Sequence, residues 1–324
     1  MKNVHVAVVG ATGLVGSTIL QVLAERDFPV GTLTLLASER SAGHQITWNG
    51  QEYTVGNLAQ ATFEGVDIAF FAAGGSVSRQ YAPVAAAAGA LVVDNSSAFR
   101  MQPDIPLVVP EVNADDIPLK GIVSNPNCST IQCMPPLHAL KPYGLKRVVY
   151  SSYQAVSGSG MKGLKDLDEN KHEFYPHPIH ANILPHIDSF RDDGYTGEEH
   201  KMIDETRKIL HEKDLPITAT TVRVPVRFGH CVSVNVELEK EFDLNELVGR
   251  IATHEDVVLM DDPQNNVYPM PILAEGRDEV FVGRIRRDFS VKSGVNLWVV
   301  ADNVRKGAAT NAVQIAQKAL ERMG

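Results

Sequence analysis

The sequence predicts an α/β protein of two domains, a parallel sheet with crossover helices followed by an α+β domain. Three observations predict it. Short apolar runs alternate with helical stretches through the first third, a glycine-rich turn separates the first run from the first helix, and beyond Tyr143 the strands lengthen and alternate in polarity. The length of 324 residues is near twice the usual domain of roughly 150, so each part can bury a core of its own.

The apolar runs are Val4 to Val9, Leu33 to Leu36, Val66 to Phe71, Leu91 to Val93 and Ile122 to Ser124, the rhythm of a parallel sheet. Asn49-Gly50 between the alternating segments Gln45 to Trp48 and Gln51 to Val55 marks an inserted hairpin. The second part offers Lys146 to Ala155, Ile217 to Val224, Cys231 to Glu239, Glu279 to Arg287 and Val295 to Val300, whose alternation predicts antiparallel strands with one solvated face. Glu198 to His211 and Leu244 to His254 read as helices between them. Apolar residues at helical spacing make Asn303 to Met323 a terminal helix. The expected boundaries are residues 1–127 for the first domain, with the helix 303–324 returning to it, and 128–302 for the second.

Hydrophobic residues make up 44% and charged residues 21%, ordinary globular usage, and the formal net charge of -9 argues against a nucleic-acid surface. Small molecules are the expected partners, with no nucleic acid and no membrane. Met1 runs almost directly into the first apolar strand, without a basic and apolar leader, and the 3 cysteines are an odd set without CxxC spacing. A reducing cytoplasm is the expected compartment.

Val4 to Val9 is followed at once by Gly10-Ala11-Thr12-Gly13-Leu14-Val15-Gly16 and then by the apolar helix Ile19 to Ala24. Glycines let such a loop turn tightly and bring backbone against a phosphate at the helix N-terminus, as in a Rossmann-type dinucleotide site. The region after the second strand reads Ala37-Ser38-Glu39-Arg40-Ser41. Arg40 and Ser41 can bind a ribose 2′-phosphate, which favours NADP, and Glu39 leaves NAD open.

Cys128 lies in Ser124-Asn125-Pro126-Asn127-Cys128-Ser129-Thr130, between a strand and a helix. At a helix N-terminus the dipole favours thiolate, and the backbone N–H groups can stabilise an oxyanion. Cys133 and Cys231 read as small buried hydrophobes. Arg223 and His230 flank a turn, and if two strands meet there the pair converges on one pocket, with a planar fork for a carboxylate and a ring that exchanges a proton near neutral pH. Cys231 is no partner for His230, because successive strand side chains point to opposite faces. Glu198 and Lys201, three apart on a helix, present opposite charges on one face. His172, His177, His180 and His186 suggest a metal, but Pro176, Pro178 and Pro185 prevent a ligand-bearing helix, and no metal is expected.

Taken together, GATGLVG, SNPNCST, SYQAVSGSG, the EEHK segment, RVPVRFGH and DNVRKGAATNAVQ resemble the aspartate-semialdehyde dehydrogenases over essentially the whole chain, SNPNCST being the most specific. The resemblance implies a homodimer of a Rossmann-type NADP-binding domain and an α+β catalytic and dimerisation domain. It implies reduction of aspartyl 4-phosphate with NADPH, in lysine (diaminopimelate), threonine and methionine biosynthesis. It implies Cys128 as the thioester nucleophile, His230 as acid/base, Gln154 orienting the acyl group, Arg223 on the substrate α-carboxylate, Arg100 and Lys201 on the phosphate, Glu198 facing the amine, and Asn127, beside the nucleophile, among the substrate-binding residues. Cofactor contacts fall on Thr12, Gly13, Leu14, Val15, Arg40, Ser41, Ser157, Gly158 and Asn303. The rival, N-acetyl-γ-glutamyl-phosphate reductase, has a cysteine motif resembling SNPGCYPT, where this chain has Asn127 and Ser129. A non-catalytic nucleotide-binding paralogue is expected to lack the cysteine or the histidine, and both are present.

Overall fold

The computed structural model describes residues 3–323, the side chain of Met323 excepted. It forms two compact units, one running to Pro126 and resuming at Ala308, the other spanning Asn127–Gly307.

In the first unit, β1 (Val4–Val9) leads into α1 (Leu14–Glu25) and β2 (Val30–Ala37). There follow the hairpin β3 (Gln45–Trp48) and β4 (Gln51–Thr54), then β5 (Gly56–Asn57), β6 (Ile68–Phe71), α2 (Gly75–Ala87), β7 (Leu91–Asp94), α3 (Pro110–Asn113) and β8 (Gly121–Ser124). Six strands pair in the order β5-β2-β1-β6-β7-β8, all parallel. Every residue of β6 and β7 is buried, which is why both read as unbroken apolar runs. The strand period of two divides them between two cores. Val6, Val8, Ile68, Phe70, Leu91 and Val93 pack with Ile19 and Leu23 of α1 and with Ala312, Val313 and Ala316 of the C-terminal helix Asn311–Met323. Ala7, Val9, Ala69, Phe71 and Val92 pack with Ala82 and Ala85 of α2. Each fully buried Val, Leu, Ile or Phe contributes about 1.5–3 kcal/mol, so burial on both faces holds this sheet against its helices.

The second unit contains α4 (Cys128–Leu140), β9 (Leu145–Gln154), α5 (Gly160–Asp168), α6 (Gly197–Leu210), β10 (Ile217–Arg223) and β11 (His230–Leu238). It continues through α7 (Leu244–Ala252), β12 (Val257–Leu259), α8 (Pro271–Ala274), β13 (Val280–Asp288) and β14 (Gly294–Ala301). Its sheet has the order β10-β9-β11-β14-β13-β12 and is mixed. β9, β11, β14 and β13 are antiparallel neighbours, but β10 runs parallel to β9 and β12 parallel to β13. The expectation of an antiparallel segment from Ile217 to Val224 is therefore corrected. Alternation reports a half-solvated face and says nothing of direction, and the long connection carrying α6 supplies the crossover that a parallel neighbour needs. A second refinement concerns the chain end, where Arg305–Thr310 winds as a π-helix before the α-helix starts at Asn311.

Candidate functional site

In the second unit the first turn of α4 is built by Asn127. Its side-chain oxygen accepts from the N–H groups of Ser129 (3.0 Å) and Thr130 (3.3 Å), an N-cap worth about 1 kcal/mol. Its Nδ2 donates to Glu198 (2.8 Å) and its own N–H to Glu205 (2.6 Å), both on α6. Cys128 is thereby fixed as the first helical residue, where the helix dipole favours a thiolate. Gly307 lies against it, since a Cβ there would fall 2.8 Å from the Cys128 Cβ. None of the three cysteines is in a disulfide. Burial pushes the Cys231 thiol up to about 12 and Cys133 higher still, so neither is a nucleophile at neutral pH. Cys231 packs with Ala274, Phe281 and Val300.

Gln154, Arg223 and His230 meet at one end of three adjacent strands. Arg223 pairs with Gln154 in the parallel register, while Cys231 pairs with Tyr153, which sets His230 beside Gln154 from the other side. Arg223 and His230 thus do converge, but not through a direct strand pair: β9 stands between β10 and β11. The backbone of Ala155 holds both, through the two peptide units on either side of its Cα. Its N–H donates to His230 Nδ1 (3.0 Å), and its carbonyl accepts from Arg223 Nη1 (2.7 Å). A Cβ on Gly158 would lie 2.8 Å from Arg223 Nη1 and 3.3 Å from His230 Nε2, so the turn Val156–Ser159 closes over the pair. Arg223 Nε and His230 Nε2 are buried without a hydrogen-bond partner, and a buried donor left in this way suits a charged ligand. Burial, and then the Arg223 charge, hold the His230 ring well below the usual imidazole range.

Glu198 joins these groups to the nucleophile helix. Its Oε1 accepts from Asn127 and from Gln154 Nε2 (3.1 Å), and its Oε2 from Lys201 (3.2 Å), which also donates to Asp188 (2.7 Å). Burial opposes ionisation of Glu198, but Lys201, Asn127, Arg223 and Gln154 outweigh it and hold the carboxyl below its usual range. Burial likewise opposes the Lys201 charge, and Glu198 and Asp188 overcome it and raise its pKa. Asn303 accepts from Ser157 Oγ (3.1 Å) and from the Gly229 N–H (2.9 Å), tying the turn after β9 to the turn before β11. Gln132, one turn along α4 from Cys128, donates to the carbonyls of His230 and Val299 (both 3.1 Å).

In the first unit the glycine loop fits a dinucleotide. Gly10 has φ +87°, and its Cβ would meet the Ala72 carbonyl at 2.7 Å, while a Cβ on Gly16 would lie 2.1 Å from the Gly10 oxygen. Gly13 caps α1 with no side chain, so no side-chain cap occupies the first-turn N–H groups beside exposed Thr12 and half-buried Leu14 and Val15. Arg40 is exposed and Ser41 half-buried on the turn after β2. Arg100 is buried, with Nε donating to the Asn125 carbonyl and Nη2 to that of Asn95 (both 2.9 Å). Among the described residues no group of three His, Cys, Asp or Glu is arranged to hold a metal, and no helix is long and apolar enough to cross a membrane.

Sequence reasoning missed Ala155, Glu205, Gln132 and Gly307. Glu205 carried a signal, because it continues the spacing of Glu198 and Lys201 along one face of α6. Ala155 acts only through its backbone and carried none.

Two family models match: "Semialdehyde dehydrogenase, NAD binding domain" over residues 5–119 and "Semialdehyde dehydrogenase, dimerisation domain" over residues 134–306. The aspartate-semialdehyde dehydrogenase of Aquifex aeolicus is 55% identical, covering 97% of each chain, and that of Bacillus subtilis is 48% identical, covering 98% of this chain and 97% of the other. Aspartate semialdehyde dehydrogenase II of Vibrio cholerae superposes with a TM-score of 0.95 at 44% identity, covering 99% of each chain. A second structure of that enzyme, complexed with ASA, gives a TM-score of 0.94. The chain belongs to the aspartate-semialdehyde dehydrogenase family and has that family's oxidoreductase activity.

Proposed function

We propose that the chain reduces L-aspartyl 4-phosphate to L-aspartate 4-semialdehyde with NADPH, through an acyl thioester on Cys128, in lysine, threonine and methionine biosynthesis. The observation that carries the reading is the convergence of Gln154, Arg223 and His230 at one sheet end, linked through Glu198 and Asn127 to the first turn of the Cys128 helix. The Cys128 thiolate attacks the acyl carbon and phosphate departs, leaving the thioester. NADPH, when bound, supplies the hydride. The resulting thiohemiacetal oxyanion collapses to the aldehyde and restores the thiolate, so atoms and charge balance at the sulfur.

Each side chain takes the role its surroundings suit. Arg223, with Nε turned to no protein acceptor, clamps the α-carboxylate. Glu198, held ionised, faces the substrate amine, and Gln154 beside it orients the acyl group. Lys201 and Arg100 bind the phosphate. His230 is the acid/base, its otherwise unpartnered Nε2 exchanging a proton with the thiohemiacetal. Thr12, Gly13, Leu14 and Val15 would hold the dinucleotide phosphates, Arg40 and Ser41 the 2′-phosphate that distinguishes NADP. Ser157 and Gly158 from the turn after β9, and Asn303 from the segment after β14, would add contacts. We read residues 1–127 with 303–324 as the cofactor domain and 128–302 as the catalytic and dimerisation domain of a cytoplasmic homodimer. Exposed Tyr153, on the sheet face opposite His230, suits a subunit contact.

Purified protein mixed with aspartate semialdehyde and phosphate, with NADP or NAD in parallel, tests the reading through absorbance of the reduced nicotinamide. Phosphate-dependent reduction of NADP is expected. Turnover with N-acetylglutamate semialdehyde instead would transfer the chain to the rival reaction.

A further inference from the structure

Asn127 stands directly before the nucleophile, and two carboxylates of α6 hold it by different atoms. Glu198 accepts from its side-chain Nδ2 (2.8 Å), and Glu205 accepts from its backbone N–H (2.6 Å). The two acids are two helical turns apart, so they lie along one face of α6. Both are buried, Glu205 to 1% exposure. Burying a carboxylate is costly unless donors meet it, and the Asn127 N–H is one such donor. Glu198 is shared, since it also accepts from Gln154 and Lys201 and, in the reading above, faces the substrate amine. Glu205 grips the main chain itself, one residue before Cys128. The helix that carries both acids is fixed against the sheet. Glu199 closes the capping box with Thr196 and accepts from the Thr221 N–H of β10 (3.0 Å), and Thr206, next to Glu205, meets the Tyr150 hydroxyl of β9 (3.0 Å). One helix thus refers the start of α4 to the two strands that end in Arg223 and Gln154.

We propose that Glu205 is a positioning residue that sets the Cys128 sulfur against the acyl carbon, by holding the Asn127 N–H and with it the backbone on which α4 begins. It works as an acceptor of fixed reach and not through its charge. The proposal rests on the thioester reading above. Asn127 is extended, with φ -62° and ψ 142°, and from that conformation its Oδ1 caps the N–H groups of Ser129 and Thr130. Releasing its own N–H frees the peptide before it to swing, which loosens the cap and moves Cys128, the first helical residue. A reacting atom misplaced by about 1 Å loses on the order of 10²-fold in rate.

The test pairs Glu205→Asp, which keeps the charge and shortens the reach by a methylene, with Glu205→Gln, which keeps the reach and loses the charge. Glu205→Asp should lower kcat about 10- to 100-fold, with KM for aspartate semialdehyde and for NADP within about threefold of wild type. Glu205→Gln should keep kcat within about fivefold of wild type. A residue needed only for stability would leave the kcat of folded Glu205→Asp untouched, and one needed for its charge would reverse the order of the two variants. Either result, or a loss carried by KM, overturns the proposal. If Glu205→Asp does not fold, Glu205→Gln alone decides, and a loss in kcat beyond about fivefold overturns it. Hydrogen exchange read by mass spectrometry supplies a measure without turnover. In Glu205→Asp the first turn of α4, residues 127–131, should exchange at least about tenfold faster while α6, β9 and β10 keep wild-type rates, and in Glu205→Gln that turn should stay protected. Unchanged exchange in residues 127–131 of Glu205→Asp, or an equal acceleration throughout the chain, would overturn the positioning role. Exchange needs no substrate, so failure of the aspartate-semialdehyde reading in the absorbance assay remains a separate result.

Discussion

Gly158→Ala separates packing from function at the point where three side chains depend on one another. Gly158 has no positive φ, so alanine fits its backbone without strain. Its Cβ would lie 2.8 Å from Arg223 Nη1 and 3.3 Å from His230 Cε1 and Nε2, well inside the ordinary contact distance of about 3.5 Å. The end of an arginine is flexible, so the guanidinium moves aside. Stability should change by less than about 1 kcal/mol, partly offset by the lower chain entropy of alanine. Function has no such slack. The displaced Nη1 abandons the Ala155 carbonyl now 2.7 Å away, and the fork no longer meets the carboxylate at two points. A charge-assisted hydrogen bond is worth about 1.5–3 kcal/mol, so kcat/KM should fall about 10- to 100-fold, mostly through KM for aspartate semialdehyde. Steady-state kinetics with each substrate varied, beside a thermal melt, gives the answer. A folded variant with kcat/KM within about twofold of wild type would refute the reasoning, and a loss confined to KM for NADP would assign Gly158 to the cofactor instead.

Two further outcomes follow from the same contacts. Gly16→Ala puts a Cβ 2.1 Å from the Gly10 carbonyl, backbone that cannot step aside, so dinucleotide affinity should fall by at least about tenfold with a loss of stability of about 1–3 kcal/mol; unchanged NADP binding by calorimetry would contradict the loop assignment. His230 is held neutral by burial and then by Arg223, while the unfolded ring protonates at its usual 6.5. Its contribution is therefore intact above that pH and lost as pH falls through it, by up to about 1.4 kcal/mol per pH unit. Denaturant unfolding at about pH 7.5 and pH 5.5 should show a smaller loss in His230→Gln than in wild type, and equal losses would mean that the ring is charged in the folded state.

How much of this was legible in the sequence depends on what each residue does. Val4 to Val9 is read correctly to the residue because a parallel strand buried on both faces leaves a continuous apolar run, and the Asn49-Gly50 hairpin because its turn requires positive φ, which both residues adopt. Strand direction was not legible. Ile217 to Arg223 alternates like an antiparallel strand, and only the crossover through α6 makes it parallel. The three-residue β12 is too short to leave a pattern. At the site, Cys128 at a helix start followed from the motif, but the reason for that start lies in Asn127, which caps the helix with its own side chain and is held by two carboxylates of α6, far along the chain. The Ala155 backbone had no signature at all, since its work is done by atoms that every residue shares.

Covalent trapping on Cys128 tests the central claim most directly. Protein incubated with aspartate semialdehyde and NADP without phosphate, then quenched in acid and weighed intact, should carry one aspartyl group, lost on adding phosphate and absent from Cys128→Ala. An adduct that persists in Cys128→Ala, or reduction of NADP by wild type with no adduct formed, would contradict the thioester account.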